Sequence, residues 1–244
     1  MKLLWVLFFI SVTANGEILL RDDFEGKTST VSSWVCLPKG AKIVKDIRDP
    51  HNHVMRLTDH GRLVSKPADR FTPDTNNDEL LQQLERWCNY RLSFRVRLSH
   101  IPRIHGTAKG NHFHLFQFEY LVQPGHNGSN VCRVSSWRIN SPNQWLIQGP
   151  YVYAGRKAQT YPLSHVIHHF PTPGIKADTQ WHEVKVEIQD GHVTIQIDDK
   201  KFFDGKHEMN DCGGIAFAAT FIPESGIEYI ELDNIKVETI GEIK

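Results

Sequence analysis

The chain is poor in cysteine, with four in 244 residues. Cys36, Cys88, Cys132 and Cys212 are far apart, so no CxxC pair exists and neither a thiol redox motif nor a zinc-ribbon site can be built. It also lacks charge of one sign: 28 Lys+Arg stand against 28 Asp+Glu. A nucleic acid or other general polyanion partner would need a clustered basic excess. No apolar run approaches the roughly 20 residues that span a bilayer. Internal repeats, low-complexity tracts and dividing linkers are absent too. What remains, 40% hydrophobic and 23% charged, is globular composition, and the length suits one large all-β domain.

Histidine is abundant, at 14 residues. His100, His105, His112, His114 and His126 lie around one segment, and His165, His168 and His169 in another. If these converge, local charge will change near neutrality and ligand binding will vary between about pH 5 and 8. Residues 1–14 read as a secretory signal, with Lys2, the short apolar run Leu3 to Val12, and the small residues Val12-Thr13-Ala14. The mature protein, residues 15–244, is then expected to be secreted, extracellular or periplasmic in a bacterium. Export makes up to two disulfides plausible, with three pairings open. Asn127-Gly128-Ser129 is the sole glycosylation sequon.

Alternation of period two predicts strands. Over 90–98, Leu92, Phe94, Val96 and Leu98 share one face, opposite Arg91, Ser93, Arg95 and Arg97. Residues 181–188 and 192–197 alternate likewise around Asp190-Gly191, a hairpin with a type I′ turn dipeptide. Asp198-Asp199-Lys200 turns into a short strand at 201–203. Further strands are expected near 17–23, 54–58, 62–66, 112–122, 131–139, 213–221 and 227–238. One helix is expected over Asp78 to Trp87, and residues 99–111 and 155–180 read as long loops. Together these give an all-β antiparallel sandwich, a jelly roll with at most one or two short helices.

Three phrases carry a family resemblance: Arg21-Asp22-Asp23-Phe24-Glu25-Gly26 with Trp34; Trp181-His182-Glu183-Val184-Lys185-Val186 through Asp199; and Gly213-Gly214-Ile215-Ala216-Phe217 with Ile230 to Val237. Their order resembles the concanavalin A-like lectin/glucanase sandwiches. Within that group it is similar to 3-keto-disaccharide hydrolase and laminin-G-like domains. The resemblance covers residues 17–35 and 181–238 and implies a secreted protein that engages a poly- or oligosaccharide on a concave sheet. The middle departs from it: the Glu-x-Asp-x-x-Glu strand of the retaining glucanases is missing. Asn111-His112-Phe113-His114 stands where the hydrolases carry Asn-Ser-Gly. Residues 89–98 and 112–117 also faintly resemble jelly-roll polysaccharide lyases.

The candidate site follows from the strand at 112–122. His112, His114, Phe116, Phe118 and Tyr120 fall on one face, and Phe113, Leu115, Gln117, Glu119 and Leu121 on the other. Either face offers aromatic surface with amide or carboxylate groups, as sugar recognition requires. The candidate catalytic residues are His112, His114, Gln117, Glu119 and Tyr120, for a glycoside hydrolase or for a lyase whose His and Tyr move protons at a uronate. Arg95 and Arg97 are candidates for binding an acidic glycan, or else pair with carboxylates of neighbouring strands. Trp137, Trp145, Tyr151, Tyr153 and His168 complete the binding set. Trp181 is expected to pack in the core. Asp23, Glu25 and Asp233 are candidate oxygen ligands of a structural Ca²⁺. A non-catalytic adhesion module of laminin-G type is the third reading.

Overall fold

A computed structural model describes residues 16–26, 34–36, 40–65, 85–101, 114–122, 130–138, 141–152, 168–171, 178–206, 212–221 and 225–241. Residues 1–15, the sequon, His105, His112, His126, Tyr153 and His165 lie outside this set, as does the expected helix up to residue 84. Among the described residues no helix is long and apolar enough to cross a membrane.

Fifteen strands follow in chain order: β1 (Ile18–Asp22), β2 (Trp34–Cys36), β3 (Ala41–Lys45), β4 (His53–Leu57), β5 (Arg62–Ser65), β6 (Tyr90–Leu98), β7 (His114–Val122), β8 (Asn130–Arg138), β9 (Ser141–Val152), β10 (His168–Pro171), β11 (His182–Gln189), β12 (His192–Ile197), β13 (Lys200–Lys206), β14 (Gly214–Ala219) and β15 (Ile230–Thr239). They form two antiparallel sheets. Sheet A has eight strands in the order β13-β12-β11-β6-β15-β4-β3, with β1 also paired to β15. Sheet B has seven, in the order β10-β9-β8-β7-β14-β5-β2.

The predicted hairpin forms with its register intact, from Val184 opposite Ile197 to Gln189 opposite His192. Asp190 and Gly191 have φ of 50° and 76°, the two left-handed residues of a type I′ turn. Asp198 and Asp199 repeat this at 50° and 58°, where short polar side chains tolerate the conformation. The strand that follows is longer than expected, ending at Lys206. Strands β2, β3, β9 and β10 were not expected from the pattern.

Alternating apolar residues of both sheets meet in one core. Leu92, Phe94 and Val96 of β6 are buried against Phe116, Phe118 and Tyr120 of β7 and Phe217 of β14. Phe94 is the hub, with ring centroids 4.9 Å from Phe217 and 5.2 Å from Phe118, both edge-on, an arrangement aromatic pairs favour. A side-chain hydrogen bond and a disulfide are among the links that cross between the sheets. Asp22, at the end of β1, accepts the indole N–H of Trp34 in β2 at 2.9 Å and the N–H of Phe24 at 2.9 Å. The Asp-Phe and Trp phrases of the sequence thus hold the first strands of the two sheets together. Cys88 and Cys212 form a disulfide across 124 residues, just before β6 and β14, which excludes the two pairings that join either of them to Cys36 or Cys132.

Register shifts interrupt several ladders, those of β7 and β15 among them. In β7, Glu119 faces Ala216 and Val122 faces Gly214, with a register shift between them. Leu121 adopts φ 54° there, and its N–H donates to the Tyr90 hydroxyl at 3.1 Å. Leu121 is therefore buried rather than sharing the face of Gln117 and Glu119. A bulge does this by inserting one residue out of alternation. In β15, two residues, Asn234 and Ile235, oppose Phe94, and Asn234 has φ 50°.

Candidate functional site

The strand pairing settles which face of β7 is open. Phe116, Phe118 and Tyr120 point into the core with no exposed surface, so the outer face of sheet B is the face of Gln117 and Glu119. Gln117 is half-buried. Glu119 is only 3% exposed and pairs with the half-exposed Arg62 of β5 at 2.8 Å. Between those two strands runs β14, which places Ala218 beside Gln117 and Ala216 beside Glu119. Two methyl groups there leave a low floor bridged by the Arg62–Glu119 pair. On the other side, Ser135 and Arg133 of β8 lie opposite Gln117 and Glu119, and Leu146 and Gln148 of β9 continue those rows. Glu119 is the single acidic residue in the sequences of all seven strands of this sheet.

Tyr120 is on the core side of the strand that carries Glu119 on its outer side, so the two do not meet one ligand. His114 opens β7, two residues before Phe116. Trp145 lies opposite Ser136, in the row that begins at Phe116, and Trp137 falls at a register shift. Tyr151 pairs with Val131, and His168 with Ile147. Tyr151 and His168 are thus strand residues rather than parts of closing loops. β10 stands three strands from β7, about 14 Å away at the usual spacing of roughly 4.8 Å.

The arginines belong to the other sheet. On the outer face of sheet A, Arg97 is buried with Asp46 and Glu231, its Nε donating to Glu231 at 2.7 Å. Arg56 joins the same carboxylate at 2.6 Å. Burial works against ionisation of Asp46, but hydrogen bonds from Arg97 and from the Arg48 N–H outweigh it and hold its carboxyl below the ordinary value. Burial likewise disfavours the Arg97 cation, and Asp46 and Glu231 more than restore it. Arg95 pairs with Asp233, and Arg91 with Glu187 at 2.8 Å and Glu238 at 3.3 Å. Trp181 covers this network rather than packing in the core: its ring lies 4.4 Å from the Arg97 guanidinium carbon and 5.0 Å from that of Arg95. Cation–π contact with two charged neighbours explains its place. The cross-strand carboxylates that satisfy Arg95 and Arg97 occupy the positions an anionic glycan would take.

The acidic residues read as calcium ligands are engaged by protein donors. Asp23 accepts the Glu25 N–H at 3.2 Å in a local turn. The Glu25 carboxylate binds the N–H and ring of His53, which hold it below the ordinary glutamate range. Asp233 is taken by Arg95 and, at 3.2 Å, by the Asn52 amide. Among the described residues, no three His, Cys, Asp or Glu gather as a metal site.

No protein-family model matches the sequence, and no curated protein matches it. Solved structures match by shape. A glycoside hydrolase family 16 endo-glucanase from Bacteroides ovatus, in complex with G4G3G-2F-DNP, has a TM-score of 0.53 at 13% identity, covering 90% of this chain and 100% of that one. The GH16 protein of the B. ovatus mixed linkage glucan PUL, in complex with G4G4G3G product, gives 0.52 at 14% identity with the same coverage. A structure described with endo-acting O-glycanases of the human gut microbiota that initiate mucin breakdown gives 0.50 at 12%, covering 92% and 100%. Identities this low establish the fold alone. It is the concanavalin A-like jelly-roll sandwich that the first and last strands of the sequence resemble.

Proposed function

We propose that the chain binds a poly- or oligosaccharide on the outer face of sheet B, centred on Gln117 and Glu119. The observation that carries this reading is a buried carboxylate fixed by Arg62 beside a half-buried amide, above an alanine floor. Carboxylate and amide groups held in place serve sugar hydroxyls as acceptors and donors, and their immobility lowers the cost of binding. The fold likeness to glycoside hydrolases that hold glucan fragments supports the same ligand class. The signal-like residues 1–14 and the disulfide agree with a secreted protein.

Binding fits the geometry better than cleavage. Glycoside hydrolysis takes two carboxyl groups across the scissile bond, and the strands of sheet B supply Glu119 alone. β-Elimination takes a proton acceptor and donor on one side of the sugar, while the Tyr120 phenol is turned into the core. The test is a panel of neutral and uronic polysaccharides. Saturable binding is expected, without new reducing ends and without a rise in absorbance at about 235 nm from the unsaturated product of β-elimination. Turnover would restore the hydrolase or lyase reading. No binding to any glycan would leave the laminin-G-like adhesion reading in its place.

A further inference from the structure

A cavity of about 370 Å³ opens on the opposite side of the sandwich, where β1, β15, β6 and β11 meet. Its origin is topological. β4 pairs with residues 230–232 of β15, and β1 with residues 235–238 of the same edge. The two strands stand end to end and leave Asp233 and Asn234 without a partner strand on that side. The bulge at Asn234–Ile235 falls in this gap and widens it.

The lining mixes the apolar Ile18, Phe94 and Ile235 with polar residues whose charges balance. Arg21, Arg95 and Lys236 are set against Asp22, Asp23 and Glu183, with Ser93 and Asn234 among them. Ser93 has a further peculiarity: it lies between Lys236 on β15 and Lys185 on β11, at the one outward position of β6 that is not arginine. A cationic residue there would repel both lysines, and serine instead contributes a hydroxyl and open space. Arg95 meanwhile keeps its Nε buried with no hydrogen-bond partner, although such a donor is costly to leave unmatched.

We infer that this cavity is a second binding site, for a single neutral sugar unit or a polyol of that size. A volume of this magnitude lies within the roughly 300–1,000 Å³ of small-molecule sites. Three cations and three anions around it disfavour an anion or a metal ion as guest. Every hydroxyl of a polyhydroxyl ligand both donates and accepts, so it can join charged groups that already have protein partners, as Arg95 has Asp233 and Lys236 has Glu238. The Arg95 Nε–H would meet one such oxygen. The site uses no residue of the Gln117–Glu119 face and does not rest on the reading of that face.

The experiment is an NMR titration of the full chain with glucose, galactose, mannose, arabinose and glycerol, with sodium sulfate and calcium chloride as the charged probes. Saturable shifts at the amides of Ser93, Arg95, Asn234 and Lys236 are expected with at least one neutral ligand. Ser93→Leu, which fills the space, should weaken that binding by about tenfold or more, and Lys236→Met should weaken it less. Gln117→Ala should leave it unchanged, so failure here and failure at sheet B are separately visible. Spectra of Ser93→Leu that match the wild type elsewhere show that the sheet is intact. Absence of saturable shifts with every neutral ligand overturns the inference. So does a response to sulfate or calcium alone, or binding that survives both substitutions.

Discussion

The two outer faces of the sandwich differ in what their side chains are free to do. On sheet A, β6 carries three arginines, and the flanking strands β11 and β15 carry the carboxylates that meet them. On sheet B, seven strands hold one acidic residue, and the neighbours of Glu119 and Gln117 on β14 are alanines. Away from the cavity beside Ser93, a ligand on sheet A would have to replace partners already in place. A face with few, fixed polar groups and small neighbours retains capacity for a guest.

This contrast gives a ranked set of expectations. The largest effect belongs to Arg97→Ala on sheet A. It would strand Asp46 and Glu231 as buried carboxylates without their cation, a change that costs about 3–5 kcal/mol, read as a lower midpoint in urea. A loss under about 1 kcal/mol, the range of exposed pairs, would show that solvent reaches the network. Next, removing the inter-sheet disulfide by the Cys88→Ala/Cys212→Ala pair should cost about 2–4 kcal/mol, measured the same way. It should affect both faces alike.

The third expectation concerns acid. The folded Asp46 carboxyl titrates below its ordinary value of 3.8, so its contribution is complete above that value and is lost as pH falls through the lower folded one. Asp22 runs the other way: burial raises its carboxyl above 3.8, against the hydrogen bonds from the Phe24 N–H and Trp34. Ionising it costs stability as pH rises through that window. Urea midpoints between pH 3 and 7 should therefore give a flatter acid slope in Asp46→Asn and a steeper one in Asp22→Asn; identical slopes would contradict both assignments. The smallest effect is Arg91→Ala. Its partners Glu187 and Glu238 are partly exposed, so less than about 1 kcal/mol should be lost.

How much of this could be read from the sequence depended on where each strand sits. The β11–β12 hairpin was legible because it is buried on one face throughout and closed by a dipeptide with a fixed turn. Strands β2, β3 and β10 lie at sheet edges, where only one side of the ladder constrains the sequence and alternation weakens. β9 contains Pro142, Gly149 and Pro150, which read locally as breakers although its neighbours on both sides hold it extended. The site was legible in part: the polar pair on β7 was identified, but not which face was open. Strict alternation placed Leu121 beside Glu119, and the bulge that reverses it leaves no mark in the residues themselves. The fate of Arg95 and Arg97 rested on carboxylates more than 50 residues away in the chain, which no local pattern discloses. Even so, the alternation that set three arginines on one face already required cross-strand carboxylates or an anionic ligand, and Glu231, Asp233 and Glu187 provide the first.

The most direct measurement is a glycan titration of three proteins side by side: wild type, Glu119→Gln and Arg91→Ala, with the best ligand from the polysaccharide panel. If sheet B is the binding face, Glu119→Gln weakens binding by about tenfold or more, the range for disturbing a buried charged hydrogen-bonding group. Arg91→Ala should then bind as the wild type does. Equal affinity for all three, or a loss confined to Arg91→Ala, would contradict the assignment of the open face to Gln117 and Glu119.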